Sequence, residues 1–167
     1  EIDFVLDALK PLLESSKNKI IGQNIKFDMN VLAKYGISIS SIKNDTMMMS
    51  YVLDASATRH NLDALSSYYL NYKTSTFEDV AGKGVKQVTF DQVPIQAATH
   101  YAAEDADITY RLYEELNPRL EKVNTLKKLN EEIEIPLIEV LSEMEQNGAI
   151  LNSKILKSQS KDLENRI

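Results

Sequence analysis

Lys19-Ile20-Ile21-Gly22-Gln23-Asn24-Ile25-Lys26-Phe27-Asp28 is the stretch on which the reading of this chain turns. Its apolar run ends in glycine and predicts a short buried strand over Lys19–Gly22. Phe27, Val31, Leu32 and Tyr35 then recur at helical spacing, and Gly36 stands where a helix C-cap is expected. Asp28 falls where the strand has ended and the helix begins. A carboxylate there can reach a site, because the chain changes direction and the core stops. It can equally be a first-turn acid favoured by the helix dipole.

Working outward, Ile2, Val5, Leu6, Leu9 and Leu13 predict a helix over 2–13. Ile37, Ile39 and Ile42 suggest a second short strand. Asp45-Thr46 reads as an N-cap, followed by a helix over Met47–Leu53. Its adjacent Met47, Met48 and Met49 point around the helix and suit a flexible core filler. Asn61-Leu62-Asp63 opens a short helix with Leu62, Leu65 and Tyr69 on one side. Thr74–Gln87, with Gly82 and Gly84 around Lys83, is expected to be a loop with one helical turn. The longest helix is predicted over Asp91–Leu116, with Pro94 in its first turn. Ile95, Ala98, Ala102, Asp105, Ile108, Leu112 and Leu116 trace one face of it. Asn117-Pro118 is expected to punctuate. Two helical patterns follow, at about 120–146 and 153–167, around an Asn147-Gly148 turn and an extended Ala149–Leu151. Two helices cannot bury a core alone, so this tail is expected to join a larger second domain or dock on the first. Both ends read as cuts through something longer.

Composition narrows the chemistry. The chain has 167 residues, 43% hydrophobic and 26% charged, enough for one ordinary domain and part of a second. Having no cysteine, it can hold neither a disulfide scaffold nor a thiolate zinc site, and two histidines leave little for an imidazole site. A bound metal would need oxygen ligands, which points to magnesium, manganese or calcium. A net charge of −6 argues against a passive binder of phosphate backbone, although a nuclease that gathers carboxylates around metal can be acidic. No apolar run approaches the roughly 18 residues of a membrane span. With no signal peptide read, the cytoplasm is the expected compartment.

One further pair carries chemistry. Tyr101 and Asp105, one helical turn apart, project into the same space from the apolar face of the long helix. A carboxylate there is costly unless something compensates it. Asp105 is either a buried cap of a nearby loop or a metal ligand beside a hydrogen-bonding phenol. Glu104 and Asp107 fall on other faces and are expected to be solvated.

Together, Asn24-x-x-Phe27-Asp28 and Tyr101-x-x-x-Asp105 resemble the second and third motifs of the DEDD exonucleases, tyrosine subclass. Asn44-Asp45-Thr46-Met47, Arg59-His60-Asn61-Leu62-Asp63-Ala64-Leu65, Thr76–Gly84 and Tyr101–Asp107 resemble the proofreading domain of bacterial DNA polymerase I. Glu134-Ile135-Pro136-Leu137 and Glu145-Gln146-Asn147-Gly148 are similar to the segment entering that family's polymerase domain. The resemblance implies an α/β, ribonuclease H-like exonuclease fold: a mixed central sheet flanked by helices, without its first strands, plus C-terminal helices. Residues 1–118 would be the 3′–5′ exonuclease domain, lacking its first carboxylate motif, and 119–167 the first helices of the polymerase domain.

It also implies hydrolysis of DNA from a single-stranded or frayed 3′ end by two divalent ions, magnesium or manganese, with zinc an alternative at the first site. Asp105 then corresponds to a ligand of the first metal, Asp28 to the acid holding the second through water, and Tyr101 to the residue orienting the attacking water. Asn24 would contact the terminal nucleotide, Phe77 would pack against bases, and Arg59, Lys83 and Lys86 would meet phosphates. The family's Asp-x-Glu motif would precede residue 1. Asp162-Leu163-Glu164 has the letters, yet on a helix residues two apart diverge by about 200°. The piece alone is therefore expected to be weakly active or inactive. Its partner would be the rest of a bacterial, cytoplasmic polymerase chain, with no membrane and no oligomer. Two rivals remain: a tyrosine-subclass exoribonuclease, and a non-catalytic structural relative.

Overall fold

A computed structural model describes residues 2–166; Glu1 and Ile167, the latter included in the last predicted helix, lie outside them. Helix α1 (Ile2–Leu13) leads into strand β1 (Ile20–Gly22) and helix α2 (Ile25–Ala33). Strand β2 (Ile42–Asp45) runs straight into helix α3 (Thr46–Leu53). The short α4 (Leu62–Leu65) continues as a π-helical turn, Ser66–Leu70, and α5 covers Phe77–Ala81. Then comes the long α6 (Ile95–Glu121), α7 (Asn124–Leu129), a second π turn (Asn130–Glu134), α8 (Ile135–Asn147) and α9 (Ser153–Glu164).

The sheet is smaller than expected. Among the described residues it consists of β1 and β2 side by side and parallel, so the antiparallel part of a mixed sheet is not among them. Its second strand also lies later than the isoleucines suggested. Ile37 and Ile39 are buried, yet they belong to the irregular stretch before β2 and contribute packing instead of ladder bonds.

Two apolar clusters hold the layers. In the first, α6 lays Ile108, Leu112, Leu116 and Leu120 against Met49 of α3 and Leu65 of α4. Met49 thus fills the core as expected, while Met47 and Met48 stay half-buried. The second joins Ile25 of α2, Ile39 and Ile138 of α8. The tail therefore docks on the first part of the chain through α7, the π turn and α8. By contrast, α9 buries no residue. Pro118 does not end α6 at Leu116; the helix continues to Glu121 before the chain breaks at Val123.

Gly22 is the tightest joint between layers. A Cβ there would stand 2.7 Å from Cβ of Ile25, which anchors α2. Gly22→Ala should force Ile25 and the start of α2 apart and cost about 2 kcal/mol, an overpacking penalty. An unchanged urea midpoint would show that α2 yields freely there.

Candidate active site

Asp105 stands where the apolar stripe of α6 meets the surface. All the buried residues of this helix lie from Ile108 onward, so Tyr101 and Asp105, two turns and one turn earlier, are half-buried at the core's edge. Burial pushes the Asp105 carboxyl above the usual range, and the charges of Asp63 and Glu104 push the same way against the lowering contact of Tyr101. The Tyr101 phenol is raised too, first by desolvation and then by the Asp105 charge.

Aromatic rings surround this pair. Phe90 lies 5.9 Å from Tyr101 between ring centroids and 6.2 Å from Phe77, forming one chain of rings. Phe77 and Phe90 are each 40% exposed, so Phe77 is not plain core and presents a face to solvent. It sits at the first position of α5 because Thr76 and Asp79 form a capping box, each satisfying the other's backbone N–H.

Glu104 is not simply solvated, as its position had suggested. It accepts the Tyr72 hydroxyl at 2.7 Å and the Ser75 backbone N–H at 2.8 Å, strapping the segment that leads to Phe77 onto α6. Asp63 does similar work from α4, accepting the Thr74 hydroxyl at 2.8 Å. Sequence reading treated Asp63 only as a helix opener; its place near Asp105 depends on how α4 packs on α6. Asp107 is exposed, within 3.6 Å of Arg111.

Asn24 and Asp28 follow β1, which packs against α6. Asn24 adopts a left-handed backbone (φ 59°, ψ 46°) and its side chain makes no capping bond, so the amide stays free. Asparagine is one of the few residues that tolerate this turn. Asp28 follows in the first turn of α2; desolvation is the main cause raising its carboxyl, and the Asp45 charge adds to it. The acids acting on Asp28 and on Asp105 thus differ: Asp45 for one, Asp63 and Glu104 for the other.

Asp45 itself builds this corner. Its Oδ2 accepts the Ile25 N–H at 2.6 Å, and Oδ1 accepts those of Met47 at 2.9 Å and Met48 at 3.2 Å. One buried carboxylate caps two helices. Its local bonds to α3 follow from the sequence; the bond to Ile25, twenty residues away, does not.

The basic residues are dispersed. Arg59 is exposed beside His60, whose ring meets Ser50 at 3.0 Å. Lys83 pairs with Glu78 at 2.9 Å, a solvent-exposed contact of little energetic weight, and Lys86 is exposed in a short turn. Asp162 and Glu164 lie exposed on α9, away from any core.

Asp28, Asp63 and Asp105 form no ion pair among the described residues, and as oxygen donors they suit a hard divalent cation. Their number does not complete a centre: among the described residues no group of three or more His, Cys, Asp or Glu is placed to hold a metal ion. No described helix is long and apolar enough to cross a membrane.

A family model described as 3′-5′ exonuclease matches residues 1–121. The chain belongs to that family. The match takes in Asn24, Asp28, Tyr101 and Asp105 together. This exonuclease is 49% identical over 163 residues to DNA polymerase I of Pseudomonas aeruginosa, covering 96% of this chain and 18% of the relative. It is 45% identical to DNA polymerase I of Rhizobium leguminosarum, over 95% of this chain and 15% of the relative. A DNA polymerase of Escherichia phage T5 is 30% identical over 89% of this chain and 19% of its own length. The exonuclease thus spans less than a fifth of the curated relatives it matches. Among solved structures, the POL domain of Pol1 from M. smegmatis, in complex with DNA primer-template and dNTP, shares its fold at a TM-score of 0.66 and 20% identity. That likeness covers 95% of this chain and 24% of that one.

Proposed function

We propose that this exonuclease is the proofreading portion of a bacterial, cytoplasmic DNA polymerase I, removing nucleotides from a single-stranded or frayed DNA 3′ end. The observation that carries the reading is the Tyr101–Asp105 pair, desolvated at the rim of the α6 stripe and flanked by exposed rings, within a family match of residues 1–121. Residues 119–167 are then the opening helices of the polymerase domain, and the remaining polymerase chain is the partner. No oligomer is needed.

In this reading Asp105 and Asp28 hold two divalent ions, magnesium or manganese, with zinc an alternative at the first site. When bound, the ions supply a more acidic water and shield the leaving oxygen. The protein residues do the rest. Tyr101 orients the attacking water from a phenol held neutral by its raised pKa. Phe77 stacks on a terminal base, a contact worth about 1–3 kcal/mol. Asn24 presents its free amide to the terminal nucleotide, and Arg59, Lys83 and Lys86 meet phosphates. Because the donor set is incomplete among the described residues, the 167-residue piece alone should hydrolyse DNA poorly.

The test is digestion of matched 5′-labelled DNA and RNA oligonucleotides by the natural full-length chain. Stepwise shortening of DNA from its 3′ end, stopped by a chelator, supports the proposal. Faster shortening of RNA would favour an exoribonuclease, and no shortening of either would leave a structural module.

A further inference from the structure

We propose that α8, which lies beyond the segment matched by the exonuclease family, is a positioning element for the site: it fixes the rotation of α2 through a polar clasp centred on Glu145. The inference rests on the reading above, in which Asn24 and Asp28 belong to the site. The Lys26 ammonium donates to Glu145 Oε1, and the Asn30 amide donates to Glu145 Oε2 at 2.6 Å. Asn30 Oδ1 in turn accepts the Ser142 hydroxyl at 2.7 Å and the Gln146 amide at 3.3 Å. Gln146 also donates to Ser142 at 3.0 Å, and Ser142 is buried.

Helical geometry gives this network its meaning. Lys26 and Asn30 are four residues apart and share one face of α2, while Asp28 lies about 200° from Lys26. Asp28 is exposed, and Phe27 and Val31, on the flank between the two faces, are 63% and 37% exposed. The face that carries Asp28 is therefore aimed by contacts on the opposite one. Apolar packing holds α2 through Ile25, with Met29 and Leu32 beside it, against Ile39 and Ile138. Ile25 is the only buried residue of α2, and a cleft of about 260 Å³ opens beside the seam between Met29, Ala33, Ile37 and Gln146. Apolar contact keeps the two helices together, and the directional bonds add the angle at which α2 sits. Small errors there matter, since misplacing a reacting group by about 1 Å can cost 10²-fold in rate.

The experiment uses the natural full-length chain carrying Glu145→Ala, Glu145→Gln or the exchange Lys26→Glu with Glu145→Lys. Single-stranded DNA digestion is read beside backbone hydrogen exchange over residues 25–33. Glu145→Ala should lower kcat about tenfold with KM for DNA within about twofold, and quicken exchange in α2. Glu145→Gln, which keeps an oxygen for Asn30, should fall between, and the exchanged pair should recover most of the rate. Unaltered kcat and exchange in Glu145→Ala would overturn the proposal, as would equal loss in the exchanged pair. An Asp28→Asn control separates the two failures: if it leaves digestion intact, the site assignment itself is wrong.

Discussion

Replacing Asp105 by alanine in the natural full-length chain is expected to reduce hydrolysis of single-stranded DNA by roughly a thousandfold, while the folded state survives. Both halves of the expectation follow from where the residue stands. Asp105 is half-buried, desolvated, and opposed by the charges of Asp63 and Glu104. Removing it relieves a strained ionisation instead of breaking a stabilising pair, so the melting temperature should hold or rise. A structural cap would behave oppositely, with stability falling and activity following it. Circular dichroism melts beside gel assays decide between them: a lower Tm with a matching loss of rate would refute the metal-ligand assignment. Tyr101→Phe keeps the ring against Phe90 and removes only the hydroxyl, so its loss should be smaller and confined to kcat.

Asp45→Ala should be the most destabilising single change, at about 3 kcal/mol or more, a large share of the roughly 5–15 kcal/mol that holds a domain. Desolvation raises this carboxyl, so its burial alone is unfavourable. Three N–H donors offset that, and deleting the acceptor strands all of them at the starts of α2 and α3. Asp45→Asn discriminates further. Its single carbonyl can serve Ile25 or the Met47 and Met48 pair, not both, and its NH2 would face the other donors. It should therefore fall between wild type and alanine. Guanidinium titration with both variants checks this, and a loss under about 1 kcal/mol for alanine would mean that water replaces the carboxylate readily.

Local signals carried much of this far. The spacing of Ile108, Leu112 and Leu116 showed the buried face of α6 before any coordinates, and Asp45-Thr46 announced the start of α3. What stayed hidden depends on partners distant in sequence. Glu104 looks solvated along its own helix, yet Tyr72 and Ser75 arrive from 32 and 29 residues away. Phe90 gives no local hint that it will bridge Phe77 and Tyr101. Isoleucines 37 and 39 alternate like a strand and both are buried, Ile39 against Ile25 and Ile138, without joining the ladder. Pro118 lacks the N–H for its bond within α6, yet the helix runs on to Glu121 because Leu120, beyond it, is buried in the core. The tail's docking was left open between two outcomes, and α8 and α9 divide them, one packed and one bare.

The anchoring of α6 is lopsided, and this shapes how the nuclease works. From Ile108 to Leu120 the helix is bolted into the core; from Ile95 to Asp107 it buries nothing. The half that bears Tyr101 and Asp105 is an overhang, aimed by its clamped end and steadied along its flank only by the polar strap from Tyr72 and Ser75 and by the Phe90 ring. In the proposed function, a nucleic acid strand laid across that overhang would meet a bearing surface already pointed.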